Sequence, residues 1–159
     1  NEAYIGPIGN AMPFCILGWS NALTYKDWDL NFSFRAQIGG EVLNTYRLYY
    51  ENWVVLGKNI VHSQLDHPEF TGKAQYSSKY IENATYLKLD NISLGYNVPM
   101  HWKYISKLRV NFTAQNVFTI TGYKGLDPEV GLSGLAPGME PLSYYPRSTS
   151  VTLGVNVIF

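Results

Sequence analysis

The chain has 159 residues, of which 15% are aromatic and only 15% are charged, and its formal net charge is zero. Globular domains average about 25% charged residues, and a nucleic-acid-binding protein is expected to be basic, so this composition is unusual for a soluble domain and argues against a nucleic-acid partner. The single cysteine, Cys15, excludes an internal disulfide framework and a cysteine-rich metal site. No apolar run reaches the ~18 residues of a spanning helix, whereas strands of a membrane β-barrel average to neutral hydropathy.

Two strands are predicted first, over residues 14–25 and 28–40. Apolar residues recur there at almost every second position, which is the period of a strand with two different faces. Only Lys26 and Asp27 separate the two strands, so the spacing predicts a two-residue hairpin. The polar face of the second strand carries Asn31, Arg35 and Gln37.

A long connection follows, over about residues 41–80. Its aromatic residues fall at helical spacings of three to four, which predicts a short helix. These aromatic residues are Tyr46, Tyr49, Tyr50 and Trp53. They either pack that helix against its neighbours or form a platform that faces an incoming sugar or peptide, and the spacing does not choose between these two roles.

The next two strands are predicted over residues 82–98 and 107–121. In the first of them the apolar parity changes at Asp90 and Asn91. One extra residue produces such a change, so we expect a β-bulge there; the alternative is that the first part of this strand lies outside the membrane. The second strand presents Arg109, Asn111 and Gln115 on its polar face.

A second long connection, over about residues 124–146, leads to a final strand over residues 148–159. Three tyrosines at this end of the chain are further candidates for contact with substrate: Tyr123, Tyr144 and Tyr145. The final strand alternates up to Phe159, which suggests that the terminus itself is used. The chain opens on Asn1 without an initiating Met or a signal peptide, so the sequence is expected to be part of a longer protein.

Short and long connections alternate along the chain. Outer-membrane barrels have short periplasmic turns and longer extracellular loops, so the pattern predicts an all-β, antiparallel transmembrane β-barrel segment whose two long connections are extracellular. Five strands cannot close a barrel, since the smallest have about eight, and open edges are not tolerated in lipid. The remaining strands are therefore expected upstream in the same polypeptide or in another chain.

Four runs, in order, resemble the C-terminal end of the SusC/RagA family of TonB-dependent outer-membrane transporters of Bacteroidetes. They are NFSFRAQIGGEVLNTY, SSKYIENATYLKLDNISLGYNVP, LRVNFTAQNVFTITGYKGLDPEVG and RSTSVTLGVNVIF. The resemblance implies the last five strands of a 22-stranded barrel, with the plug domain and the TonB box outside these residues. It also implies a nutrient importer of oligosaccharides or peptides that works with TonB and a SusD-like surface lipoprotein, and it makes Phe159 a membrane-insertion signal.

Other readings of the same residues are weaker. The group of His62, Asp66, His67 and Glu69 could bind metal, but the spacing matches no zinc signature, and the pair of Asp127 and Glu129 is better explained as a turn than as a cation site. We therefore expect no enzyme activity, no metal and no cofactor. A soluble all-β binding module for carbohydrate or peptide is the main alternative, and it requires the apolar strand faces to form a dry core between two sheets. A passive porin without a plug is a third.

Overall fold

Most of the ordered secondary structure is β-strand in the computed structural model, which describes residues 5–51, 59–66, 75–100, 102–129 and 137–159. In chain order the strands are β1 (Pro13–Tyr25), β2 (Trp28–Gly39), β3 (Glu41–Leu43), β4 (Ile81–Asn83), β5 (Tyr86–Val98), β6 (Lys107–Thr121) and β7 (Ser150–Ile158). One helix, α1, spans Thr45–Tyr50, and two short 3₁₀ turns span His62–Asp66 and Ser78–Tyr80. No helix in these described ranges is long and apolar enough to cross a membrane.

The five long strands form one sheet in the order β1-β2-β5-β6-β7, and the two short strands pair separately as β3-β4. The chain also divides into two compact units. The sheet unit comprises residues 16–36, 86–120 and 147–159, and the loop unit comprises residues 1–15, 37–85 and 121–146.

One face of the sheet unit is apolar and exposed. In the antiparallel register of β6 and β7, Phe112 lies opposite Leu153 and Val110 lies opposite Val155, and opposed residues share a face. The side chain of Leu153 is 72% exposed and that of Phe112 is 40% exposed. A sandwich would bury these side chains between two sheets, so the structure contradicts the dry core that the soluble module requires.

Aromatic side chains on the same face pack laterally across neighbouring strands. Trp19 of β1 lies edge-on to Phe32 at 5.4 Å and stacks on Phe34 at 5.8 Å, both on β2. Trp28 at the start of β2 stacks on Tyr96 near the end of β5, with ring centroids 4.3 Å apart. These rings contact one another and remain accessible, so the side chains of this exposed apolar face are held in defined positions.

The predicted change of parity in β5 is present. Asp90 pairs with Arg35 of β2, and Ser93 lies 3.1 Å from Thr113 of β6 through their hydroxyl oxygens. Both partners belong to the polar positions of their own strands, yet Asp90 and Ser93 are three residues apart, a spacing that places residues on opposite faces of a regular strand. One additional residue lies between them, as in a β-bulge.

The loop unit is built around β3, α1 and β4. Gly39 and Gly40, with φ of +77° and +81°, turn the chain from β2 into β3, a conformation that glycine adopts without steric cost. Helix α1 begins after Asn44, whose side-chain oxygen accepts a hydrogen bond from the Arg47 backbone N–H at 3.0 Å, the usual arrangement at a helix N-terminus. A small core then forms from Leu43, Leu48 and Tyr80, with Ile81 packed against it.

Candidate functional site

Two ion pairs mark the polar face of the sheet. Arg35 donates from Nε and Nη2 to the two carboxylate oxygens of Asp90, at 2.9 and 3.0 Å. Arg109 binds Asp29 in the same two-point manner, at 2.7 and 2.8 Å, and also donates to the Asn97 side-chain oxygen at 3.3 Å. A two-point arginine–carboxylate contact fixes orientation as well as charge. These four charged groups therefore form an ordered polar surface in which each charge is compensated.

Gly95 makes room for the second pair. A Cβ atom at this position would lie 2.6 and 2.7 Å from the two carboxylate oxygens of Asp29 and would also meet the Arg109 guanidinium. The close approach of a charged pair to backbone requires the smallest residue, which is a common reason for glycine inside a strand.

The predicted polar-face residues divide into two groups. Arg35 and Arg109 form the ion pairs, while Asn111 lies within 3.5 Å of Asn156 and Gln115 within 3.5 Å of Ser150, through side-chain atoms of adjacent strands. Asn31 shares the strand parity of Asp29 and Arg35 and so lies on the same face.

The expectation for Gln37 needs correction. Its side chain is 1% exposed, and its Nε2 donates to the carbonyl oxygens of Gly39 and Ala84, at 3.3 and 3.5 Å. Gln37 belongs to the loop unit, where backbone covers it. It therefore does not face open space, although its strand parity is that of Arg35.

The α1 tyrosines take up different positions. Tyr46 and Tyr50 stack one turn apart, with ring centroids 6.2 Å apart, and the Tyr46 hydroxyl donates to the Leu142 carbonyl at 2.8 Å; both rings are half-buried. The ring of Tyr49 is 43% exposed, and a hydrogen bond to Tyr76 raises the pKa of its phenol. Trp53 lies outside the described residues.

Tyr76 is an exposed aromatic that the sequence analysis missed. Its side chain is 62% exposed, and its hydroxyl meets that of Tyr49. It follows a stretch without helical or strand periodicity, so no local pattern singles it out. Tyr145 is 84% exposed, and together Tyr49, Tyr76 and Tyr145 form what we call the exposed tyrosines of the loop unit.

Tyr123 is not available to a substrate. Its side chain is only 6% exposed, and its hydroxyl donates to Oε2 of Glu140 at 2.8 Å. The prediction that this residue faces substrate is therefore wrong for the structure described here, because the ring belongs to a buried cluster with Val42 and Ala84. Tyr144 is half-buried, and its hydroxyl donates to Asp127 at 3.0 Å.

Glu140 is a buried carboxylate whose burial no sequence pattern predicts. Its side chain is fully buried, Oε1 accepts the Leu126 backbone N–H at 2.8 Å, and Oε2 accepts the Tyr123 hydroxyl. Burial raises the pKa of Glu140, the nearby negative charge of Glu82 adds to this, and the donated hydrogen bonds oppose it. Burial also raises the pKa of the Tyr123 phenol, so Tyr123 remains a hydrogen-bond donor at neutral pH.

The raised pKa of Glu140 predicts a pH dependence of the loop unit. At pH values between the ordinary carboxyl pKa of about 4.3 and the raised pKa of Glu140, Glu140 binds a proton more readily in the folded loops than in opened loops. The free energy of loop opening should therefore fall as pH rises through this window. Hydrogen exchange at the Leu126 amide, corrected for the intrinsic rate, measures this. Glu140→Gln should remove the dependence, and an equal slope in both proteins would contradict it.

No group of three or more metal-binding side chains occurs among the described residues. Asp127 instead closes a turn, since its Oδ1 accepts the Glu129 backbone N–H at 3.0 Å. His67 and Glu69 lie outside the part of the chain that the structure describes. Phe159 follows β7 and is 89% exposed, and its role in membrane insertion stays a prediction.

Comparisons with known proteins give a consistent result. No family model matches the chain, but the TonB-dependent receptor SusC of Bacteroides thetaiotaomicron is 33% identical over 98% of it. TonB-dependent receptor P3 of Formosa agariphila is 31% identical over 96% of it. The chain spans only 16% and 17% of the length of these two relatives.

Solved structures give the same family. The RagAB peptide importer in its closed-closed state matches with a TM-score of 0.74 and 26% identity, covering 92% of this chain and 17% of that one. A second structure of RagAB, described as a peptide transporter, matches with a TM-score of 0.71 and 26% identity, covering 88% of this chain and 17% of that one. The chain belongs to the SusC/RagA family of TonB-dependent receptors, and its five-stranded sheet is a segment of their antiparallel transmembrane β-barrel.

Proposed function

We propose that this chain is the C-terminal part of the barrel domain of a TonB-dependent outer-membrane importer of oligosaccharides or peptides. The observation that carries the proposal is the two-faced sheet, with an exposed apolar face on one side and the compensated ion pairs of Arg35 and Arg109 on the other. This division suits a wall between lipid and a water-filled lumen. In this role the chain contributes wall and loops and catalyses no reaction.

The partners of the proposed importer follow from its relatives. We propose a SusD-like surface lipoprotein and, through a plug domain that precedes these strands, TonB. RagAB is described as a peptide importer, so peptides are the cargo class to test first, with oligosaccharides second. The two long connections are then extracellular, and cargo first meets the protein there.

The native polypeptide in outer membranes tests this proposal directly. We expect a heat-modifiable species several times larger than the 18.0 kDa of this chain, detected with an antibody against residues 147–159 on gels run with and without boiling. A soluble species of 18.0 kDa with no heat shift would overturn the proposal in favour of the binding module. A large heat-modifiable barrel whose uptake does not require TonB would indicate a passive porin instead.

The exposed tyrosines are the proposed cargo contacts. Replacing both Tyr49 and Tyr76 by Ala should weaken cargo binding by roughly 5-fold or more, since each aromatic contact is worth ~0.5–1.5 kcal/mol. Binding of a defined peptide mixture and an oligosaccharide mixture to the intact importer, followed by mass spectrometry of the retained molecules, measures this.

Tyr104 supplies the matched control. It is 77% exposed but lies in the short connection between β5 and β6, so Tyr104→Ala should leave cargo binding unchanged. Equal binding by the double variant and the wild type would remove Tyr49 and Tyr76 from the proposed cargo surface.

A further inference from the structure

We propose that the two long connections, taken as residues 41–85 and 121–146 where the structure describes them, open and close as one body, because the Glu82 carboxylate of the first and the Glu140 backbone of the second bind across them. We call Glu82 and Glu140 together the loop latch. The inference concerns the internal cohesion of the loop unit, and only its consequence for cargo passage rests on the proposed function.

Glu82 ties the second connection to the first through its side chain. Its Oε1 accepts Arg47 Nη1 at 2.5 Å and the Asn44 amide at 3.3 Å, while its Oε2 accepts the backbone N–H of Lys124 at 2.8 Å. One carboxylate therefore holds the start of α1 and the beginning of the second connection together. Charge-assisted hydrogen bonds of this type are stronger than neutral ones.

Glu140 makes the reciprocal attachment through its backbone. Its N–H donates to the Leu43 carbonyl at 3.2 Å, and the Leu43 N–H donates to the Gly138 carbonyl at 2.7 Å, so the second connection runs beside β3 as a parallel bridge. Thr45 Oγ1 also donates to the Glu140 carbonyl. This second point of attachment lies close to α1.

The Glu140 side chain then holds the second connection in the shape that allows both attachments. It binds Tyr123 and Leu126, which lie 17 and 14 residues before it. A buried carboxylate that loses its donors is strongly destabilised, so Tyr123, Leu126 and Glu140 are expected to stay together when the second connection moves. Tyr46 adds a further link through Leu142.

Two independent loops would each open with their own free energy, whereas a latched pair shares one opening step. In the proposed importer, access to the exposed tyrosines of both connections would then be controlled by a single movement. Native-state hydrogen exchange distinguishes the two cases, because amides that open together share one opening free energy.

The first experiment uses the intact wild-type protein in detergent, with hydrogen exchange followed in increasing urea. We expect amides of α1 and of residues 124–129 and 137–146 to converge on one opening curve before the strands of the sheet exchange. Separate curves for the two connections at all urea concentrations would overturn the proposal.

The second experiment replaces Glu82 by Gln. We expect the protection of amides in α1 and in residues 137–146 to fall by the same factor, on the order of 10-fold. The Glu82 side chain accepts hydrogen bonds from Asn44, Arg47 and Lys124, and its charge acts on residues 137–146 through Glu140, where its removal by itself would not loosen the fold. A loss confined to α1 and Lys124 would contradict the latch. Asp66→Asn is the matched control, since Asp66 is an exposed acid of the first connection and its replacement should leave both segments unchanged.

Discussion

Replacing Leu153 by Arg is expected to destabilise the inserted barrel and to reduce the fraction of protein that inserts. Leu153 lies in the middle of β7, opposite Phe112, and its side chain is 72% exposed on the apolar face. If this face meets lipid, a charged side chain near the bilayer midplane costs about 2–4 kcal/mol. The full importer, folded into lipid vesicles and titrated with urea, should show this loss, together with a reduced heat-modifiable fraction.

The neighbouring residue provides the control for this experiment. Thr152 lies opposite Thr113, which shares the polar face with Ser93. Thr152→Arg places the same charge one residue away but on the other face, where water or polar groups can solvate it. We expect near-normal assembly of this variant, and equal losses in the two variants would show that the faces are assigned incorrectly.

Leu48→Ala is expected to destabilise the loop unit while leaving the barrel assembled. Leu48 is 1% exposed and packs with Leu43 and Tyr80 in the small core beneath α1. Truncation of a buried leucine to alanine costs about 2–5 kcal/mol, through lost transfer free energy and the cavity left behind. Limited proteolysis of the intact importer should cleave the first long connection much faster, with an unchanged heat-modifiable band.

Leu65 is the matched comparison for Leu48. It lies in the 3₁₀ turn of the same connection but is 55% exposed, and surface substitutions of this kind usually change stability by less than about 0.5 kcal/mol. Leu65→Ala should therefore keep the wild-type rate of cleavage. If Leu48→Ala also keeps that rate, the core described here does not hold the first connection.

These two experiments separate the two structural units. Leu153→Arg acts through the solvation of a strand face, and Leu48→Ala acts through packing in the loops. We expect Leu153→Arg to insert poorly and Leu48→Ala to insert normally with protease-sensitive loops. This pair of results would indicate a stable barrel wall and loops that only a small core stabilises. Regions with few buried apolar contacts open locally at low free energy, so one substitution in a small core has a large effect on its stability.

Local periodicity predicted the long strands, the Lys26–Asp27 hairpin and the parity change in β5. It also joined residues 82–98 into one strand, whereas the structure separates β4, which pairs with β3, from β5 of the large sheet. A strand alternates because each residue faces one of two environments, so the sequence of one segment reports its own faces without reference to the rest of the chain. The aromatic spacing likewise predicted α1.

Only the tertiary structure decided what those faces and loops contact. Gln37 has the parity of Arg35 but is covered by backbone from residues near position 84, 47 residues away. Tyr123 is buried in a cluster with Val42 and Ala84 and donates to Glu140, 17 residues away. Lys124 and Glu82, which lie 42 residues apart, meet across the two connections. Such contacts join segments that are far apart in the chain, and the local periodicity of each segment does not indicate which distant segment it contacts. The sequence by itself therefore determined the strands and their two faces, while long-range packing decided which polar and aromatic side chains remain accessible and which hold the loops together.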